Sequence, residues 1–245
     1  PMTILNTIVA KQLQAFKKEV DILIDNKNLK KDEAIFNVLR DYIKTSKRIR
    51  FEGDGSSGEW EEEARTRKLS NRKTTPVALQ VLTSEESLEL FNSMQVMSEV
   101  EVNARKEVEL DTYILNIQIE GRIFTELVYN HILPAAIGYQ NKLITNVKGL
   151  KDIFGNAHKN MVESQLQNIE RISEHIKDLK IKTDAMVDAR RKANVMTDNK
   201  KKAYAYCDNV RPHFEEIRYH CDKLERLVDD QLWPLTKYRE LLFVK

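Results

Sequence analysis

Apolar residues recur at helical spacing along most of the chain, and the breaks between the runs are short and polar. Leu5, Val9, Leu13, Phe16, Val20 and Leu23, with lysines and acids between them, predict one helix over residues 2–24. The stretch "DNKN" at 25–28 breaks it, and Asp32 opens a second helix carrying Ile35, Val38, Leu39, Tyr42 and Ile43. A polar stretch, "RIRFEGDGSSGEW" at 48–60, interrupts the pattern. Short helices follow. "EWEEEARTRK" has acids in its first turn and bases in its last, as the helix dipole favours. "TTPVALQVL" offers Thr75 as N-cap and Pro76 at the first helical position, and "TSEESLELF" offers Thr83 or Ser84 as cap.

From Ser98 the periodicity lengthens. Ser98 and Glu101 have the spacing of a capping box. Ile114, Ile117, Gly121, Phe124, Val128, His131 and Ala135 then alternate steps of three and four, a heptad seam. Pro134 is expected to bend this helix without ending it, and Gly149 and Gly155 to bracket its end. A second seam runs through Val162, Leu166, Ile169, Ile172, Ile176, Leu179, Thr183 and Met186. After the connector "NVMTDNKKK" and Pro212, a third takes in Phe214, Ile217, Cys221, Leu224 and Val228. Three successive amphipathic helices with short connectors predict an antiparallel bundle. "RIRF" is the best strand candidate and is too short to convince, so the fold class is mainly α.

Composition supports this and narrows the partners. Seven glycines and five prolines in 245 residues are few, as a helical chain requires. The length allows one large domain or two modest ones. With 40 basic against 38 acidic residues the net charge is +2, which gives no reason to expect a nucleic acid or a membrane as partner. The basic residues Arg190, Arg191, Lys192, Lys200, Lys201 and Lys202 cluster around one connector, but without interleaved aromatics they read as a solvated helix tip. Two cysteines, Cys207 and Cys221, make no disulfide framework and fit a reducing, cytoplasmic setting. No apolar run reaches the ~18 residues of a membrane span. The N-terminal stretch lacks the pattern of a secretory signal. A start at Pro1 fits either a Met-processed protein or a piece of something longer.

Candidate chemistry centres on Gly53-Asp54-Gly55-Ser56-Ser57-Gly58, which matches G-x-G-x-x-G. That fingerprint needs a strand before it and an uncluttered helix N-terminus after it. Helices surround this one, no G-K-S/T follows, and Glu52, Asp54, Glu59, Glu61, Glu62 and Glu63 crowd the place an anion would take. The loop therefore reads as a flexible turn whose glycines supply positive φ, and Arg48 and Arg50 are better placed than the glycines to meet an anion. His213, Glu216 and His220 have helical i, i+3 and i, i+4 spacing, but they lack the rest of a di-iron set and read as polar contacts between helices. His131 reads as a hydrogen-bonded core histidine beside Pro134. Cys221, on the third seam, reads as a small buried hydrophobe. A nucleophilic role for Cys207 would need an exposed, cationic setting. Trp233, Pro234 and "LTKYRELLF" form an apolar tail expected to dock on the body of the chain or on a neighbour.

"SKRIRFEGDGSSGEW" with "NRKTTPVAL" after it resembles the late region of type III glutamine synthetases. "TILNTIVAKQL" resembles the segment just downstream of that family's glutamate-binding arginine region, and "VMSEVEVNARKEVELDTYI" the late helix of its core. "NHILPAAIGYQNKLITNVKGLKD", "AYCDNVRP" and "LVDDQLWPLTKYRELLF" resemble the C-terminal extension peculiar to type III enzymes. The match runs in order over essentially the whole chain.

The resemblance implies an enzyme that phosphorylates the γ-carboxylate of glutamate with ATP and lets ammonia displace the phosphate, with Mg or Mn as cofactor and a homo-oligomeric ring as assembly. It implies that residues 1–110 close an α+β catalytic domain and that residues 111–245 form the helical-bundle extension. The family's metal ligands, ATP segments and substrate arginine lie N-terminal to this stretch, so no catalytic, cofactor or metal residue is carried over. The chain then looks like the C-terminal part of a longer enzyme, inactive alone, whose partner is the rest of the parent polypeptide. Arg48, Arg50, Gly53, Asp54, Gly55, Ser56, Gly58 and Trp60 are the candidate rim of its active site. Relatives commonly carry Tyr where this chain has Ser56, which puts a role for that aromatic in doubt. The competing reading is an autonomous helical-bundle scaffold without catalysis.

Overall fold

The computed structural model describes residues 2–243, with the side chains of residues 156, 158, 159, 238 and 239 left out. The described residues are mainly helical, with no strand, and form two compact units, residues up to Glu109 and from Leu110 onward. Among the described residues no helix is long and apolar enough to cross a membrane.

In the first unit α1 (Met2–Lys27) and α2 (Lys31–Thr45) form a hairpin. Asn28, at φ 50°, makes the break; Asn tolerates this left-handed conformation better than most residues. Val20, Ala34 and Val38 are its buried centre, with Phe16, Leu23, Ile35 and Tyr42 packed around them. Phe16 meets Tyr42 edge-on at 5.9 Å, and the Tyr42 hydroxyl donates to Glu19 at 2.8 Å. Only the C-terminal half of the predicted α1 stripe is buried, and Leu5, Val9 and Leu13 are exposed. Then come α3 (Gly58–Thr66), α4 (Thr75–Leu79) and α5 (Glu85–Ser93). Ser84 is the cap of α5, accepting from Ser87 N at 3.3 Å, whereas α4 begins at Thr75 with no side-chain cap on Thr74.

The helix α6 (Glu99–Leu127) opens on the predicted capping box: Ser98 N donates to Glu101 Oε2 at 2.7 Å and Glu101 N to Ser98 Oγ at 3.4 Å. The Ser98 N–H and the Ser98 hydroxyl, which also donates to Oε2 at 2.8 Å, hold the Glu101 carboxyl below the usual range. The helix runs on through a π-helical turn, Val128–Ile132, into α7 (Leu133–Phe154), so Pro134 does not end it. The π turn corrects the predicted seam. Leu133 N reaches back to Val128 O, which spends one extra residue on the turn and moves every later position around the axis. Ile132 and Ala136 are therefore buried in place of His131 and Ala135, and His131 is exposed and not a core histidine. Gly149 lies inside α7, and Gly155, at φ 53°, caps its end.

The helices α8 (Lys159–Asn194), α9 (Asn199–Ala205) and α10 (Pro212–Leu227) complete the bundle, and the short α11 (Tyr238–Leu241) follows. A second π turn, Tyr206–Val210, joins α9 to α10, and like the first it falls just before a proline. In both cases the N–H preceding the proline, on Leu133 or Arg211, bonds five residues back. Val162, Ile172, Leu179, Thr183, Met186, Phe214, Ile217, Leu224 and Val228 are buried as the second and third seams predict. Leu166 is not: it is 48% exposed, and the half-buried Gln165 turns inward instead. The antiparallel sense of α6 and α8 shows in Gln118 donating to Asn194 at 3.1 Å while Tyr129 bonds Asp184 farther along. Phe124 stacks on Phe214 at 4.9 Å. Trp233 is buried, so the tail docks there, while Leu241, Leu242 and Phe243 stay exposed.

Candidate functional site

The glycine loop is held between the end of α2 and the two ends of α3. Ser46–Ile49 is a 3-10 turn and Arg50 is extended, so "RIRF" forms no strand. Arg48 donates through Nε to Arg67 O at 2.9 Å and through Nη2 to Lys68 O at 3.0 Å. These carbonyls lie just past α3, where helical partners run out. Lys68 itself takes φ 57°, and Leu69 N bonds Ala64 O at 2.8 Å, the geometry of a Schellman cap. Arg67 returns the favour: its Nη1 donates to Arg48 O and Arg50 O while its Nε pairs with Glu63 at 2.6 Å. Arg50 donates to Ile43 O at 3.0 Å.

The backbone donors a phosphate would need are already engaged. Ser56 N bonds Asp54 Oδ1 at 2.9 Å and Ser57 N bonds Asp54 O at 3.1 Å. Ser57 Oγ, the N-cap of α3, accepts from Trp60 N at 3.2 Å. Asp54 and Ser57 thus close the loop on itself. The glycines also play a different part from the predicted one, since none of Gly53, Gly55 and Gly58 adopts positive φ. At Gly53 the constraint is space: a Cβ there would come within 2.7 Å of the Phe51 ring. Phe51 in turn stacks on Trp60, with centroids 4.9 Å apart and planes at 43°. At Gly55 and Gly58 a Cβ would meet nothing.

Beside the loop, Lys47, Arg50, Glu52 and Arg67 line a shallow cavity of about 320 Å³. Its three cations outnumber Glu52, so its chemistry suits an anionic group, held by charge and guanidinium donors. Of the candidate rim residues named from the sequence, Arg50 lines it and Arg48 faces the end of α3. Two residues that sequence reasoning passed over, Arg67 and Phe51, do most to hold the loop. The i, i+4 spacing of Glu63 and Arg67 was the available signal for the first.

The other candidates are spread apart. His213 contacts Glu216 at 3.2 Å, and Lys182 pairs with the same carboxylate at 3.0 Å. His220 turns away from Glu216 and meets His175. Among the described residues no three His, Cys, Asp or Glu gather in a metal-binding group. Cys207 is buried inside the second π turn, without the exposure a nucleophile needs. Burial pushes the Cys221 thiol up to about 12, with Asp222 adding to the shift.

The family described as "Glutamine synthetase C-terminal domain" matches residues 34–151, from α2 to near the end of α7. A glutamine synthetase of Bacteroides fragilis (strain YCH46) is 42% identical over 245 residues, which is all of this chain and 34% of the relative. A type-3 glutamine synthetase of Dictyostelium discoideum is 30% identical over 247 residues, again all of this chain and 33% of the relative. A glutamine synthetase of Butyrivibrio fibrisolvens is 26% identical over 219 residues, 86% of this chain and 30% of the relative. The chain spans about a third of the length of the curated relatives it matches.

Proposed function

We propose that the chain, which is similar to the C-terminal part of type III glutamine synthetases, serves as the C-terminal segment of an ATP-dependent glutamate–ammonia ligase in the cytoplasm. The observation that carries the reading is the 42% identity over 245 residues, all of this chain. In the parent reaction the glutamate γ-carboxylate attacks the γ-phosphorus of ATP, ADP leaves, and ammonia then displaces phosphate from the acyl phosphate. ATP and a divalent ion, Mg or Mn, supply the phosphoryl group and its charge neutralisation.

This segment's residues do not fit either group. The N–H donors of Ser56, Ser57 and Trp60 are taken, and no carboxylate cluster assembles among the described residues. No step of the reaction runs through them. Residues 1–110 close the catalytic domain, and the loop from Arg48 to Trp60 borders the active-site mouth, with the cavity of Lys47, Arg50 and Arg67 as its cationic edge. Residues 111–245 are the helical extension, which takes part in ring contacts. Heptad seams and charge balance gave the scaffold reading its support, and both belong equally to the extension.

The test is glutamine formation. The chain alone should make none from glutamate, ammonia, ATP and Mg2+, and metal-dependent turnover by the pure chain would sink the assignment. In the full-length parent, Arg50→Ala should raise a substrate KM with the fold intact; unchanged kinetics would remove the loop from the rim.

A further inference from the structure

His175 of α8 and His220 of α10 approach with Nδ1 to Nδ1 at 3.1 Å, ring centroids 5.4 Å apart and planes at 60°. The contact joins residues 45 apart in sequence. One Nδ1–H donates and the other Nδ1 accepts through its lone pair, so a single proton holds the two rings together across the helices.

We propose that His175 and His220 form a two-histidine clamp for a divalent transition-metal ion of the Zn2+ class, joining α8 to α10. The separation fits. A Zn–N bond of about 2.0–2.1 Å puts two ligand nitrogens about 2.9 Å apart at a right angle and about 3.4 Å apart in a tetrahedron. The observed 3.1 Å lies between, so the ion needs ring rotation and no movement of the helices. The helices are also closely packed there. Ile172 and Leu179 on α8, and Ile217 and Leu224 on α10, are fully buried on either side of the pair. Ligands on packed helices hold their geometry better than ligands on loops.

The proton balance is simple. The ring that donates through Nδ1 shifts its proton to Nε2, and both Nδ1 lone pairs become free with no net loss of a proton. Both rings are half-buried, which leaves the remaining coordination positions to water. Tyr219 packs edge-on against both rings, at 6.5 and 5.2 Å, and walls one side. Imidazole nitrogens suit Zn2+, Cu2+ and Ni2+, whereas Mg2+ and Ca2+ demand oxygen. The clamp is therefore separate in chemistry from the hard cation of phosphoryl transfer.

Calorimetric titration of the full chain with Zn2+ tests this, with thermal melting at each Zn2+ concentration as second readout. The expected result is one Zn2+ per chain and a Tm that climbs with Zn2+, because the ion binds the folded state. His175→Gln and His220→Gln should each weaken binding by more than the about 10–100-fold seen when only a supporting residue is lost. Circular dichroism checks that both variants keep their helix content, and His213→Gln should bind as the parent chain does. Mg2+ should produce neither heat nor a Tm shift. The clamp is overturned if the chain gives no Zn2+ response, if either His175→Gln or His220→Gln binds unchanged, or if His213→Gln alone abolishes binding.

Discussion

At the scale of single residues, the glycine loop owes its shape to what fills it. A G-x-G-x-x-G loop holds phosphate through free backbone N–H groups, and here the Asp54 side chain and Ser57 have taken them. Gly53 is needed because Phe51 lies where a Cβ would go. Gly53→Ala is expected to push the Phe51 ring off Trp60. The ring is the far end of a flexible side chain, so the cost in stability should stay below about 1 kcal/mol. Trp60 emission in a Trp233→Phe background should shift to the red, and an unshifted spectrum would show that the stack tolerates the methyl group. Cys221 gives a pH prediction. Its folded thiol is raised to about 12, while an unfolded thiol titrates near 8.5. Between those values the folded state holds more protons, so its contribution is intact below about pH 8.5 and declines as pH rises toward 12. Urea melts at pH 8 and pH 10.5 should show a shallower alkaline loss in Cys221→Ala than in the parent chain. Equal losses would mean the thiol titrates normally.

At the scale of elements, caps and seams decide most of the outcome. Ser57 ends the loop and starts α3 with one oxygen, so Ser57→Ala should cost the helix about 1 kcal/mol. Faster hydrogen exchange over residues 58–66 is the expected sign, and unchanged protection there would show that the Arg48–Arg67 tie holds α3 without its cap. Helices were legible in the sequence because a period near 3.6 is written in the side chains. The buried seams of α8 and α10 followed almost residue for residue. His131 shows where that legibility stops. A π turn adds one residue without changing the local pattern, and nothing in "VYNHILP" separates it from an α-helix crossing a proline. The ties around the loop were hidden for another reason. Arg48, Arg67 and Lys68 meet through backbone carbonyls, and a carbonyl leaves no mark in a sequence.

At the scale of the whole molecule, the two units differ in how much they bury. The α1–α2 hairpin has a small centre of Val20, Ala34 and Val38, and Leu5, Val9, Leu13, Phe36 and Ile43 remain exposed. From Leu110 onward, the seams and the second π turn bury large side chains, among them Ile172, Leu179, Leu224 and Tyr206. On heating, residues up to 109 should lose exchange protection first and the later unit second. A single sharp transition of the whole chain would favour an autonomous protein over a segment completed by other residues. The likeness to glutamine synthetases was legible through long matching stretches, while the geometry of the loop was not, because side-chain contacts with backbone carbonyls set it. The most direct test mixes this chain with the N-terminal two thirds or so of the Bacteroides fragilis relative, the part the chain does not match. Glutamine formation is followed for each part alone and for the mixture. The account predicts no turnover by either part and ATP- and Mg2+-dependent glutamine synthesis on mixing. Turnover by this chain alone, or full activity of the N-terminal part without it, would contradict the account.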